Sequence, residues 1–141
     1  LRRERHVGEH VGFGIVHEGS QLWPPGTELV GDMAPGLHGT GVIGLAKSLA
    51  LEYAPQNIRV NTVCPGTTRT DRILNLTKSR AESTGRSVDD LLAEDAKAIP
   101  MGRIGEPQEF ANVVAFFASP AASYVTGVTI TVDGGSTKST L

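Results

Sequence analysis

From Gly41 onward the sequence alternates between helical and strand-like hydrophobic periods, and this alternation constrains the fold more than any other feature. Apolar residues recur at helical spacing from Val42 to Tyr53, and a proline two residues later ends that helix. A short strand follows in NIRVNTV and stops at Pro65 and Gly66. Helices and strands of these lengths, in this order, predict an α/β sheet with parallel pairing.

The second part of the chain continues the alternation. Ser87 and Asp90 have the spacing of a capping box for a helix in VDDLLAEDAKAI, and Pro107 opens a helix that ends before Pro120. A second strand is predicted in GVTITVDGG. Two strands are too few for a free-standing doubly wound sheet, so the predicted α/β fold is incomplete.

Residues 1–40 differ in composition from residues 41–141. All 4 histidines, His6, His10, His17 and His38, lie in this first segment, which is rich in glycine and sustains no period of 2 or 3.6. We therefore interpret residues 1–40 as an irregular, unassigned segment. HVGEH matches the H-x-x-E-H lettering of zinc proteases, but Gly8 weakens a helical turn there and no distant third ligand stands out. Solvated histidines are the favoured interpretation, and no metal site is predicted.

Three glycines at the junction, Gly39, Gly41 and Gly44, spell G-x-G-x-x-G, the lettering of a dinucleotide-binding fingerprint. Such glycines bind a pyrophosphate only where a buried strand leads into the turn and a helix follows. The preceding sequence PPGTELVGDMAPGLHG is broken by prolines and glycines, and no acidic residue lies between Tyr53 and Val63. Chance spacing in a glycine-rich chain is the favoured interpretation.

Composition excludes several classes of partner. The formal net charge of −2 over 141 residues argues against broad binding to nucleic acid or to an anionic membrane. No apolar run approaches the length of a membrane span, and the basic opening LRRERH is not followed by the apolar region of a signal peptide. The single cysteine, Cys64, excludes an internal disulfide and suits a reducing compartment, so a cytoplasmic location is predicted.

Three blocks of sequence, in this order, carry a specific resemblance: GVIGLAKSLALEYAPQNIRVNTVCPG, TRT and IPMGRIGEPQEFANVVAFFASPAASYVTGVTITVDGG. From Gly41 to about Ser136 the chain resembles the C-terminal half of the short-chain dehydrogenase/reductase family, especially its 3-oxoacyl-carrier-protein reductases. The resemblance implies the C-terminal portion of a Rossmann-type parallel α/β sheet with flanking helices. It also implies NAD or NADP as the cofactor, and hydride transfer between a small carbonyl substrate and an alcohol.

The resemblance also implies a cofactor loop, a lid and oligomer surfaces. In the family, the loop after the first of these strands closes over the nicotinamide end, where backbone groups at a strand's carboxyl end can pair with a carboxamide. Residues 71–100 match the variable substrate lid, with a plain connector as the alternative. Helices 42–54 and 107–118 match surfaces that form homo-oligomers. The implied cofactor-binding residues are Pro65, Gly66, Thr67, Thr68 and Thr70.

No catalytic residue is assigned. The family carries a tyrosine, three residues and then a lysine before the helix that matches Gly41 onward. The tyrosine passes a proton to the substrate oxygen, and the lysine lowers the tyrosine pKa. Counted back, those places fall on Pro35 and Gly39, which cannot do acid–base chemistry, and no tyrosine precedes Tyr53. The cofactor-binding first half of the family domain also has no match.

Two functional interpretations follow from these departures. The chain is either a truncated, catalytically impaired oxidoreductase of the family, or a non-catalytic fragment that associates with a full-length relative through its oligomer-forming helices. A shifted reading frame over residues 1–40 would explain both the missing dyad and the change in composition. That hypothesis requires a Leu37 codon ending in TA, because the codon of His38 always begins with C and the shifted triplet then encodes tyrosine.

Overall fold

A computed structural model of the chain describes residues 12–17 and 37–138. These residues form an α/β fold of strands around which helices pack. The strands are β1 (Gly12–His17), β2 (Ile58–Pro65) and β3 (Thr129–Val132). The helices are α1 (Leu37–Tyr53), α2 (Asp71–Thr84), α3 (Val88–Lys97) and α4 (Pro107–Ala118), with short 3-10 turns at Ala54–Gln56 and Pro120–Ala122.

Strand β2 is the middle strand of the sheet, whose order is β1-β2-β3. It pairs in parallel with β3, with Thr62 opposite Thr129 and Pro65 opposite Val132. On its other edge it pairs antiparallel with β1. The parallel pairing predicted from the alternation of helices and strands is therefore confirmed for β2 and β3, and the α/β fold class is confirmed with it.

Apolar residues cover both faces of β2. On one face Val60 packs against Ala46 and Ala50 of α1, and all three side chains are buried. On the other face Val63 packs against Phe117 of α4 and Ala122 of the following turn. Successive side chains of a strand point to opposite faces, so Val60 and Val63 belong to different layers. The result is a layer of α1, the sheet, and a layer containing α4.

Two buried polar side chains of β2 share the face with α4. Arg59 donates long hydrogen bonds to the carbonyl oxygens of Val125 (3.4 Å) and Ser119 (3.5 Å). Ser119 caps the carboxyl end of α4, where the helix dipole favours a positive charge. Asn61 donates to the Val125 carbonyl at 2.9 Å and accepts the Val128 N–H at 3.2 Å. Together these contacts hold the segment before β3 against the middle strand.

Helices α2 and α3 form a hairpin after β2. The N–H of Asp90 donates to the Ser87 hydroxyl at 3.0 Å, which confirms the predicted cap at the start of α3. Arg80 of α2 forms an ion pair with Asp95 of α3 at 2.8 Å. The side chain of Leu91 in α3 is buried. Residues 71–100 therefore have regular structure of their own, and their role as a substrate lid stays a prediction.

The beginning of the described fold differs from the sequence-based expectation. Strand β1 was not predicted, because GFGIVH is interrupted by glycines and lies in a segment without a sustained period. Helix α1 begins at Leu37, before the predicted start, and it contains Gly39, Gly41 and Gly44. All three glycines lie inside this helix rather than in a turn before it, which favours the interpretation as chance spacing. The HVGEH motif lies outside the described residues.

Within residues 12–17 and 37–138, no helix combines the length and the apolar character needed to cross a bilayer.

Candidate functional site

The candidate site is built around residues 66–70, which we call the 66–70 loop and which follow β2 at its carboxyl end. The Gly66 N–H donates to the carbonyl oxygen of Val132 at 3.0 Å, so the loop begins as an extension of the parallel pairing with β3. A Cβ atom on Gly66 would lie 2.6 Å from both Cα and Cβ of Asp133. Only glycine lets the two chains approach this closely, and this contact directs the loop across the end of β3.

A second stretch of chain, residues 103–106, holds the middle of the 66–70 loop. The Gly105 N–H donates to the Thr67 carbonyl at 3.0 Å, and the Arg69 N–H donates to the Gly105 carbonyl at 2.8 Å. Thr68 and Gly105 thereby form a parallel bridge outside the main sheet. The Thr68 hydroxyl donates to the Gly66 carbonyl at 3.0 Å, which fixes the turn from within. The loop is therefore preformed by backbone contacts.

Thr70 ends the loop and caps helix α2. Its hydroxyl oxygen accepts the N–H of Ile73 at 3.4 Å, and its own backbone is extended, as an N-cap requires. A hydroxyl that accepts a hydrogen bond still has a proton to donate. Because Thr70 is exposed, that proton can reach an acceptor outside the protein surface.

Ion pairs join the loop and residues 103–106 to the start of α4. Arg69 Nε donates to Glu106 at 3.0 Å, and Arg103 forms a bidentate pair with Glu109 at 2.6 and 2.7 Å. Glu109 also accepts the Glu106 N–H at 2.8 Å, which completes a capping box at the start of α4. The Arg103 guanidinium, followed by the Glu106 N–H, lowers the pKa of Glu109 to about 2. The same hydrogen bond raises the pKa of Arg103 above its ordinary value.

Asp133 lies beneath the loop at the end of β3. Burial raises its pKa, but hydrogen bonds from Thr137, Gly135 and Ser136 outweigh burial and hold the pKa of this carboxyl below its ordinary value. The N–H groups of Gly135 and Thr137 donate to its two oxygens at 2.9 and 2.7 Å. A carboxylate stabilised in its ionised form in this way is a poor proton acceptor, so its role is to shape the turn after β3.

A small cavity of about 100 Å³ opens between the 66–70 loop and α4. Its walls include Thr67, Thr68, Met101, Phe110 and Val132. Sites for drug-sized ligands occupy roughly 300–1,000 Å³. The cavity is therefore too small for a dinucleotide, and the described residues can supply only one wall of such a site.

The structure brings the five sequence-predicted site residues, Pro65, Gly66, Thr67, Thr68 and Thr70, together at one edge of the sheet. Of the two positions matched to the catalytic dyad, Gly39 lies inside α1 and Pro35 lies outside the described residues. No group of three potential metal ligands occurs within the part of the chain that the structure describes.

Four charged residues at the site were missed from the sequence. The partial signal for two of them was the E-x-x-E spacing around a helix-opening proline, which is typical of a capping box. Of the other two, Arg103 depends on an ion pair with Glu109, six positions later, and Asp133 on packing against Gly66 in a distant segment. These residues are Arg103, Glu106, Glu109 and Asp133.

Replacing Gly66 with alanine tests the close approach of the loop to β3. Since the new Cβ would overlap Asp133 backbone, Gly66→Ala should lower the free energy of unfolding by about 1–3 kcal/mol. The matched control is Gly44→Ala, where a Cβ meets nothing within 4 Å inside helix α1 and should add about 0.5–1 kcal/mol. Urea unfolding of the two variants and of the unmodified chain measures these changes in the free energy of unfolding. A Gly66→Ala variant as stable as the unmodified chain would contradict the close packing of Gly66 against Asp133.

The titration of Glu109 tests the ion pair with Arg103. Its pKa is lowered from 4.5 to about 2, so the pair stabilises the fold above pH 4.5 and this contribution is lost as the pH falls towards 2. In Arg103→Gln the pKa should rise towards 4.5, as followed by the carboxyl carbon signal in an NMR titration. Arg86→Gln removes a comparable surface pair with Glu94 and should leave the Glu109 titration unchanged. An unshifted Glu109 in Arg103→Gln would refute the assignment.

Comparison with known proteins identifies the family. The family described as Enoyl-(Acyl carrier protein) reductase matches residues 34–137. Oxidoreductase UcpA of Escherichia coli (strain K12) is 43% identical over 107 residues, which cover 76% of this chain and 40% of that protein. The 3-oxoacyl-[acyl-carrier-protein] reductase FabG of Vibrio harveyi is 44% identical over 95 residues, which cover 67% of this chain and 34% of that protein. The chain thus spans about two fifths, or less, of the length of these curated relatives.

A solved structure gives the same result for the fold. L-sorbose reductase from Gluconobacter frateurii, complexed with NADPH and L-sorbose, superposes with a TM-score of 0.69 at 31% identity. The superposition covers 72% of this chain and 39% of the reductase. The family match over residues 34–137 includes the middle and C-terminal elements that build the site. The chain therefore belongs to the short-chain dehydrogenase/reductase family.

Proposed function

We propose that this chain is the C-terminal part of an NAD(P)-dependent oxidoreductase domain, and that its 66–70 loop forms the wall against which the nicotinamide end of the cofactor lies. The observation that carries the proposal is the position of this loop at the carboxyl ends of two parallel strands. In open α/β sheets, ligands bind outside the carboxyl ends of the strands. The contacts with residues 103–106 hold the loop ready for such a ligand.

The chemistry of the loop fits the nicotinamide end and not the whole dinucleotide. Thr70 is exposed, so its hydroxyl proton can reach an amide or phosphate oxygen, and the loop lies at the carboxyl end of β2, where backbone groups can pair with a carboxamide. The cavity of about 100 Å³ leaves no room for the adenosine half. When bound, the cofactor supplies or accepts a hydride, and the residues of this chain bind and orient its reactive end. The L-sorbose reductase complex with NADPH supports this class of cofactor, with NAD as the alternative.

We further propose that this polypeptide alone does not reduce carbonyl substrates. Proton transfer in the family requires the tyrosine and lysine whose places are taken here by Pro35 and Gly39. The carboxylate of Asp133, whose backbone packs against Gly66, is held in its ionised form by the turn after β3. The sequence similarity to a 3-oxoacyl-[acyl-carrier-protein] reductase indicates a carbonyl or alcohol as the substrate class of the lineage. The single cysteine supports a cytoplasmic location.

An NMR titration with three probes tests the loop. NADPH and nicotinamide mononucleotide should shift the amide signals of residues 66–70, whereas adenosine 2′,5′-bisphosphate should not, because it lacks the nicotinamide end. In a parallel assay, NADPH and a panel of ketones should show no decrease in the absorbance of the reduced nicotinamide, with an intact family reductase as the positive control. Unshifted loop amides at millimolar NADPH would contradict the binding proposal, and turnover would contradict the proposed loss of activity.

A second candidate function is association with another polypeptide through α1 and α4. The observation that favours it is the exposure of large apolar side chains on these helices, with Leu45 57%, Leu51 71% and Phe116 46% exposed. Only one stripe of α1 is used against the sheet, by Ala46 and Ala50. Apolar groups left exposed on two helices, here on opposite faces of the sheet, are typical of surfaces that a partner covers. The partner we propose is a full-length relative or a second copy of this chain.

Light scattering after size-exclusion chromatography tests this association. Leu51→Glu places a charge on the exposed side of α1, so it should reduce the measured mass if that helix forms an interface. Leu76→Glu is the matched control, because Leu76 is 51% exposed on helix α2, outside both proposed surfaces. The proposed interface would be excluded if the unmodified chain were monomeric and did not bind a full-length relative. It would also be excluded if Leu51→Glu and Leu76→Glu changed the measured mass equally.

A further inference from the structure

Strand β1 covers the edge of β2 that faces away from β3 over residues 58–63, from Gly12 opposite Val63 to His17 opposite Ile58. It lies outside residues 34–137, the part of the chain that matches the family. It also runs antiparallel to β2, whereas β2 and β3 are parallel. A segment without a counterpart in the family match thus completes the pairing of the middle strand.

Hydrogen bonds to β3 show which backbone groups of β2 depend on β1. The N–H groups of Thr62 and Gly66 donate to carbonyls on the β3 side, at Val128 and Val132. Even-numbered residues of β2 therefore direct their backbone groups towards β3. Because these directions alternate along a strand, the odd-numbered residues direct theirs towards β1. Those residues are Arg59, Asn61 and Val63, which lie opposite Val16, Gly14 and Gly12.

Strand β2 lacks most of the features that protect a sheet edge. Natural edge strands are short, or carry lysine, internal proline, a bulge or an inward-pointing charge, and of these β2 has only the inward-pointing charge of Arg59. Strand β2 is longer than β3, its only proline is its last residue, and its one charged side chain is buried against carbonyls near the end of α4. The opposite edge of the sheet is formed by β3, which has four residues and is followed by two glycines with positive φ. If β1 were displaced, the edge of β2 would be the better template for another strand.

We propose that β1 is an edge guard, a segment that pairs with β2 and thereby prevents β2 of a second copy of this chain from pairing there. Two β2 strands are complementary when antiparallel, because each offers the same alternating donors and acceptors, and such a pair closes as a two-fold dimer. This contact differs from association through α1 and α4. The inference needs no cofactor and does not depend on the proposed oxidoreductase lineage.

Two neighbouring proline substitutions in β1 test the guard. Val16 lies opposite Arg59, so its N–H points at β2, and Val16→Pro removes one bond of the ladder. Ile15 is the next residue, and its N–H points away from β2, so Ile15→Pro is the matched control. Light scattering should show that the mass of Val16→Pro doubles relative to Ile15→Pro and to the unmodified chain. Equal masses of the two variants would overturn the proposal.

A second measurement remains decisive even if Val16→Pro folds poorly. In the unmodified chain, amide hydrogen exchange at Arg59, Asn61 and Val63 should be as slow as at Thr62, which donates to the β3 side. Fast exchange at the three odd positions with slow exchange at Thr62 would show that β1 does not cover the edge. In Val16→Pro, an excess of a peptide with the sequence of residues 12–17 should restore the mass of the unmodified chain, and failure to do so would also count against the guard.

Discussion

The structure depends on strand β2, which is paired along both edges and buried on both faces. Val60 and Val63 are enclosed by different helical layers, and the polar side chains of Arg59 and Asn61 are buried with them. Burying polar groups costs free energy unless they are hydrogen-bonded. Here both side chains bind carbonyl oxygens of the chain that approaches β3. The hydrogen bonds that satisfy the strand therefore also align its parallel neighbour.

The shape of the candidate site depends on the pairing of β2 with β3. The 66–70 loop is positioned by Gly66 against Asp133, by backbone bonds with Gly105, and by ion pairs around Glu106 and Glu109. Exposed ion pairs contribute little to stability, with a median of about 0–1 kcal/mol. The backbone bridge and the close packing at glycine are therefore the stronger constraints on the loop. The ion pairs orient the loop relative to α4, because they connect it to the first turn of that helix.

Much of the fold could be predicted from local sequence, because several elements carry their own signals. Helix α4 begins at Pro107 and repeats apolar residues at helical spacing, and helix α3 follows Ser87, whose hydroxyl caps it. The five site residues were implied by the family resemblance, and the turn predicted after a strand agrees with their position at the end of β2. Strand β1 could not be predicted, because it is a strand through pairing with β2 rather than through its own pattern. Asp133 was missed for the same reason, since it packs against Gly66 from a separate segment. Arg103 pairs with Glu109 only six positions later, across the start of α4, and that ion pair follows from the turn geometry rather than from a local pattern.

The separation of partners along the chain sets an order in which the contacts can form. Asn61 binds Val125 and Val128, which lie 64 and 67 positions later, whereas Arg80 and Asp95 are only 15 positions apart. Closing a long loop costs more conformational entropy, and contacts between distant residues slow folding. The α2–α3 hairpin can therefore acquire structure before the sheet closes. Until β3 arrives, the middle strand has no parallel partner, and the loop that follows it has no fixed shape.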